Sequence, residues 1–186
     1  MDFPTLEACA RQYQERFDRI YEENEKPFRP SRISRGHLAG IQEVIGEVLP
    51  EEFVRVVTTY DFSGLDIGQV IFGYGEEYED FERCNSHDGM PWWLRGPKPQ
   101  SLIMIGGTTA WTILMNVLDG SIHAFENPWE GDAERIALRF ELFLRAACFL
   151  SVQDNVDVTD RFEQEFLEAI GHPASRFWAQ VSRGGA

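Results

Sequence analysis

The chain predicts a single α+β domain with an antiparallel or mixed central sheet and helices packed on it, and three stretches carry that prediction. Ser101 to Phe125 alternates apolar and polar residues around Asp119-Gly120, a strong hairpin signal because a type I′ turn needs positive φ at both central positions. Upstream, two runs with apolar residues at three- and four-residue steps meet at Leu49-Pro50. Downstream, about Asp132 to Leu150 reads as a helix with an apolar surface wide enough to touch the sheet and a terminal helix together.

Taken in order, residues 4–24 predict an amphipathic helix. Pro4 suits its first turn, Leu6, Ala10, Tyr13, Phe17 and Ile20 form one face, and the charged residues fall largely on the other. Pro27 and Pro30 end the pattern and open a basic loop from Arg29 to Arg35, which reads either as a charge-balancing linker or as a contact for an acidic partner. His37 to Val48 follows as a helix with Leu38, Ile41, Ile45 and Val48 as its stripe. Pro50 then starts a third helix, with Glu51 and Glu52 at its positive end and Phe53, Val56, Val57 and Tyr60 on its buried side.

Glycines punctuate residues 61–75, leaving Gln69 to Phe72 as a short strand near an edge. Neither Gly73-Tyr74-Gly75 nor Gly106-Gly107 has the spacing of a dinucleotide fingerprint or the Gly-Lys-Ser/Thr of a phosphate loop. Glu76 to Asn85 predicts an acidic helix or turn with Tyr74, Tyr78 and Phe81 as its apolar contacts. The irregular segment after it carries Trp92-Trp93. Adjacent tryptophans in an extended segment point opposite ways, which places one in the core and the other in the open or over an edge.

A two-residue turn at Asp119-Gly120 sets Leu118 opposite Ser121, Val117 opposite Ile122 and Leu114 opposite Phe125. Trp111, Ile113, Met115, Val117, Ile122 and Ala124 then share a core face. The other face mixes Thr112, Leu114, Asn116, Leu118, Ser121, His123 and Phe125, and needs a helical cover or partial contact with water. Asp132 is expected to cap the following helix, with Glu134 near its positive end and Ile136, Phe140, Phe143, Leu144 and Ala147 as its stripe. A further helix is expected from Asp160 to Ile170, and a last turn through Phe177 and Trp178.

Composition limits function. Five Trp and 14 Phe in 186 residues supply a large aromatic core, and a formal charge of -14 opposes general binding to phosphate backbones, leaving no expectation of direct nucleic-acid contact. Acid is densest at Glu76, Glu77, Glu79, Asp80 and Glu82, which serves either a solvated face or a basic protein partner. Cys9, Cys84 and Cys148 are too scattered for a disulfide framework, the N-terminal residues lack a signal-peptide pattern, and no uncharged run reaches membrane-spanning length. A cytoplasmic protein is the expectation, with no membrane contact.

Catalytic, cofactor and metal residues are all expected to be none. Cys84 and His87 form a lone pair without the second pair that a tetrahedral metal site requires. Cys84, His87 and Asp88 crowd into five positions, whereas nucleophile and base normally come from separate elements. His123 shares a face with Asn116 and reads as a hydrogen-bonded structural histidine.

In order along the chain, LAGIQEVIGEVLPEEFVRVV, SLIMIGG, WTILMNVLDGSIHAF and ERIALRFELFLRAACF resemble the SMI1/KNR4, or SUKH, superfamily. The matching positions are Leu49, Pro50, Phe53, Ile105, Gly106, Asp119, Gly120, Ile122, Phe140, Phe143 and Leu144. Tyr60-Asp61-Phe62-Ser63 stands where the family has Asn-Gly-Gly. The resemblance implies a core over residues 37–150, with helical extensions at 1–36 and 151–186, and no catalytic motif. It further implies an immunity protein that binds and neutralises a cognate bacterial polymorphic toxin, such as a basic nuclease effector; the alternative is a non-enzymatic regulatory or scaffold protein of the same type. For a toxin domain with a basic surface, the candidate contacts are Tyr74, Glu76, Glu77, Glu79, Asp80, Glu82, Trp92 and Trp93.

Overall fold

The computed structural model describes residues 4–17, 28–61, 65–67, 69–72, 79–89, 92–93, 97, 99–126, 133–152 and 175–182. Among these residues six strands form one sheet in chain order, with every neighbouring pair antiparallel. They are β1 (Asp66–Ile67), β2 (Val70–Phe72), β3 (Leu102–Gly107), β4 (Thr112–Asn116), β5 (Ile122–Phe125) and β6 (Glu134–Ala137). The helices among the described residues are α1 (Leu6–Phe17), α2 (Arg35–Ile45), α3 (Glu51–Thr59), α4 (Glu79–Asn85), α5 (Phe140–Val152) and α6 (Arg176–Ser182). The fold is a single α+β domain, as the patterning predicts.

Local chemistry sets the helix ends. Ser34 caps α2 by accepting the His37 N–H, and Gly46 stops it in the left-handed conformation at φ 69°. That stop corrects the predicted stripe: Leu38, Ile41 and Ile45 are buried, but Val48 lies beyond the helix and is 79 % exposed. Pro50 precedes α3, and Glu51 and Glu52 occupy the first turn as expected. The basic loop spends its charge within the chain. Arg29 and Arg32 both donate to Oδ2 of buried Asp61, at 2.8 and 3.2 Å, while Arg35 pairs with Glu51.

Two further corrections concern the sheet. The β4–β5 hairpin closes through the four residues 117–120, and its register is Met115 opposite Ile122, Leu114 opposite His123 and Thr112 opposite Phe125. Side chains compete for the turn. Asn116 Oδ1 accepts the Leu118 N–H at 2.9 Å, Asp119 Oδ1 accepts the Ser121 N–H at 2.9 Å, and the Gly120 N–H reaches back to Asn116 O at 2.8 Å. The displacement from the expected pairing is even, so the core face survives: Ile113, Met115, Ile122 and Ala124 are buried together.

The second correction lies at residues 134–137, expected as the start of a helix and found as strand β6. Asp132 falls outside the described residues. Glu134 instead serves another helix: its carboxylate accepts the Ser175 hydroxyl at 2.9 Å and the Phe177 N–H at 2.7 Å, at the entry to α6. The expected helices at 18–24 and 160–170 also lie outside the described residues.

Helix α5 touches both edge strands, β1 and β6, and so crosses the sheet. It also packs against α1 and α3. A ladder of rings runs through this layer: Phe81 on Phe53 (6.1 Å between centroids), Phe53 on Phe140 (4.8 Å), Phe140 on Phe72 (6.3 Å), Phe72 on Phe143 (5.8 Å) and Phe143 on Trp178 (5.5 Å). Leu6, Cys9, Ala10, Tyr13, Phe177 and Trp178, all from the segments expected as extensions, sit in this same core.

Candidate protein-binding surface

The acidic helix α4 is fixed to the sheet by one buried side chain. Among the described residues, strand β2 pairs with β3 at Gly106 and Gly107. Asn85 fills the place of a neighbouring strand. Its Oδ1 accepts the Met104 N–H at 2.7 Å, and its Nδ2 donates to Met104 O at 2.8 Å and to Phe81 O at 2.9 Å. A side-chain amide has the same donor and acceptor as a peptide group, so it satisfies a strand edge directly. Phe81, one turn earlier, anchors α4 in the aromatic core.

This anchoring sets where the predicted contact residues stand. Glu79 and Asp80 open α4, and Glu82, partly exposed, follows within it. The chain then turns back: a Cβ on Gly89 would lie 2.2 Å from Arg83 O, and the Trp92 N–H donates to Cys84 O at 3.1 Å. Trp92 is half-buried and lies against Phe125 with 6.3 Å between ring centroids. Phe125 belongs to the mixed hairpin face, so Trp92 is part of its cover. Trp93 is 6 % exposed and packs edge-on against Trp92 and His87, at 5.7 and 5.3 Å. The tryptophans therefore act as a paired wedge. Tyr74, Glu76 and Glu77 lie outside the described residues.

On the same hairpin face, Ser121 Oγ donates to Asp119 Oδ1 at 2.6 Å and stands 2.9 Å from His123 Nε2. The two hydrogen bonds from Ser121, side chain first and backbone second, lower the Asp119 pKa and keep its carboxylate an acceptor. With the hydroxyl proton committed to Asp119, the imidazole must donate to the serine oxygen. The arrangement locks the turn and does not activate a nucleophile. Cys9 and Cys148 are buried, and burial pushes the Cys9 thiol up to about 11 and Cys148 well above its ordinary value. Among the described residues, no group of three or more His, Cys, Asp or Glu is placed to hold a metal ion. No helix of the described residues is long and apolar enough to cross a membrane.

Strand edges carry their own closures. Tyr13 OH donates to Asp66 O in β1 at 3.2 Å, and Trp178 Nε1 donates to Ile136 O in β6 at 2.7 Å. With Asn85 on β3, three backbone positions that a foreign strand could use are already occupied. Sequence reasoning missed Asn85, whose position at the end of a short acidic helix looks like an ordinary terminator, and it placed Val48, which is exposed, on an apolar stripe. No protein-family model matches the chain, and no curated protein matches it significantly in sequence.

Proposed function

We propose that the chain is an immunity protein of the SMI1/KNR4 type, acting in the cytoplasm by binding and neutralising a cognate toxin domain with a basic surface. It acts by occupation of the toxin and not by catalysis. The observation that carries this reading is the ordered set of motif positions. Leu49, Phe53, Ile105, Ile122, Phe140, Phe143 and Leu144 are all buried in one core, with Phe53 and Phe140 in ring contact at 4.8 Å. Asp119 and Gly120 form the hairpin turn, and Gly106 permits the approach of β2 to β3. The charge of -14 supports a basic partner, because an acidic field draws in a basic surface and speeds encounter, while it repels nucleic acid and anionic surfaces.

The test co-expresses the chain with catalytically disabled products of neighbouring reading frames and measures both complex formation and rescue from the active forms. Stoichiometric binding to a toxin domain together with rescue is expected. Capture of a resident cellular protein without rescue would move the reading to a regulatory scaffold. Within a complex, neutralising Glu76, Glu77 and Glu79 to Gln is expected to slow association and flatten its salt dependence; unchanged kinetics would take the acidic run out of the interface.

A further inference from the structure

We propose that Trp92 is a two-state side chain: it rotates from a closed position against Phe125 to an open one that frees its indole N–H, and the open form anchors a protein partner through the ring and that N–H. The rotation belongs to the chain alone, whereas the anchoring rests on the reading of the chain as a protein-binding domain. Two other tryptophans bond their indoles tightly. Trp111 Nε1 donates to Gln180 Oε1 and Trp178 Nε1 to Ile136 O, both at 2.7 Å. Trp92 Nε1 is buried too, yet it finds no acceptor among the described residues.

An indole nitrogen can only donate, and a buried donor without an acceptor forfeits the hydrogen bond it makes in water. That penalty falls on the closed form alone. The ring contacts work the other way: Trp92 meets Trp93 edge-on at 5.7 Å and lies tilted by 40° on Phe125 at 6.3 Å. These contacts are incomplete, because the residue is only half-buried. Partial aromatic packing therefore favours closure while the stranded donor opposes it, which sets the two forms close in energy.

The backbone confines the movement to the side chain. The Trp92 N–H donates to Cys84 O at 3.1 Å, and the next residue, Trp93, is 6 % exposed and packed edge-on against His87. With the main chain held there, rotation about the Cα–Cβ bond is the freedom that remains. Cys84 lies in α4, so the open ring stands beside that acidic helix. Such a ring suits a Lys or Arg of the partner over its face, and its N–H suits a backbone carbonyl of the same partner. An aromatic body with a polar tip is the commonest kind of interface anchor.

The test follows the indole N–H protons of the intact free chain by NMR, each assigned through its own backbone, and measures their exchange with solvent. The Trp92 proton is expected to exchange on the order of 100-fold faster than those of Trp111 and Trp178, since a donor that opens often is poorly protected. W92F retains a ring and removes the N–H, so its unfolding midpoint in urea is expected to be no lower than the parent's. Equal protection of the three protons overturns the rotation, as does a W92F midpoint well below the parent's, because either result means that the N–H is satisfied in the closed form. The anchoring is read in the toxin-rescue assay, where W92A, checked for a cooperative melt, is expected to lose most of the parent's rescue. Rescue by W92A equal to the parent's overturns the anchor and leaves immunity; fast Trp92 exchange without rescue by the parent supports the rotation and removes immunity.

Discussion

Asn85 couples a helix to a strand through three hydrogen bonds, and its removal leaves Met104 N–H and Met104 O without their partner. An unsatisfied buried polar group costs about 1–3 kcal/mol. Asn85→Ala is therefore expected to destabilise the protein by about 2–4 kcal/mol in urea unfolding, with faster hydrogen exchange at the Met104 amide. A change in the unfolding midpoint too small to measure would mean that water replaces the amide. Asp119 supplies a second prediction, governed by proton linkage. Its folded pKa is lowered by the Ser121 hydrogen bonds, so its contribution is present above the unfolded value and is lost as pH falls through the folded one. Asp119→Asn should remove that acid-dependent loss below about pH 4, where an unfolded aspartate titrates. Parallel stability–pH curves for the two proteins would assign the loss to other carboxylates. The Asp-Gly pair announces this turn in the sequence, but the competing Asn116 side chain, which lengthens it to four residues, has no comparable signature.

At the scale of elements, legibility follows length and period. Helices α2 and α3 show in the sequence because each repeats an apolar face and meets the other at a proline. Strand β6 does not, because four residues ending in Ile136-Ala137 continue at helical spacing into Phe140 and Phe143. Only pairing with β5 decides its conformation, and that information is nonlocal. Gly106 was equally opaque, since a glycine in a strand marks either a bulge or a close approach. Here it is both: the β3–β4 register shifts between Met104 and Gly106, and a Cβ at residue 106 would lie 2.6 Å from Ile71 O. Gly106→Ala should push β2 from β3 and cost about 1–3 kcal/mol, the usual range for an overpacked site. Gly40→Ala is its control, because a Cβ there meets nothing within 4 Å, and about 0.5–1 kcal/mol of stabilisation is expected in a helix interior. Thermal melts of the two variants should move in opposite directions, and a common direction would refute the steric account of Gly106.

At the scale of the whole molecule, the question is whether residues 37–150 make a domain without the segments that flank them. The aromatic ladder argues that they do not. Phe143 contacts Phe177 and Trp178, at 6.1 and 5.5 Å, and Trp178 also closes the β6 edge through its indole N–H. At the other end of the chain, Leu6 and Tyr13 are buried in the same core, and α1 packs on α5. Burial of one large apolar or aromatic side chain contributes about 1.5–3 kcal/mol, so these four together rival the about 5–15 kcal/mol by which a whole domain is stable. A fragment of residues 37–150 is accordingly expected to lack a cooperative melt. The thiols provide an independent reading of the same point. In the full chain, partly exposed Cys84 should react with an aromatic disulfide reagent long before Cys9 and Cys148, which burial both hides and holds protonated. In the fragment, Cys148 should react as fast as Cys84, because the helix that covers it is gone. A fragment that melts cooperatively and still shields Cys148 would show that the central sheet and α5 hold together alone, and that α1 and α6 only thicken a core already complete.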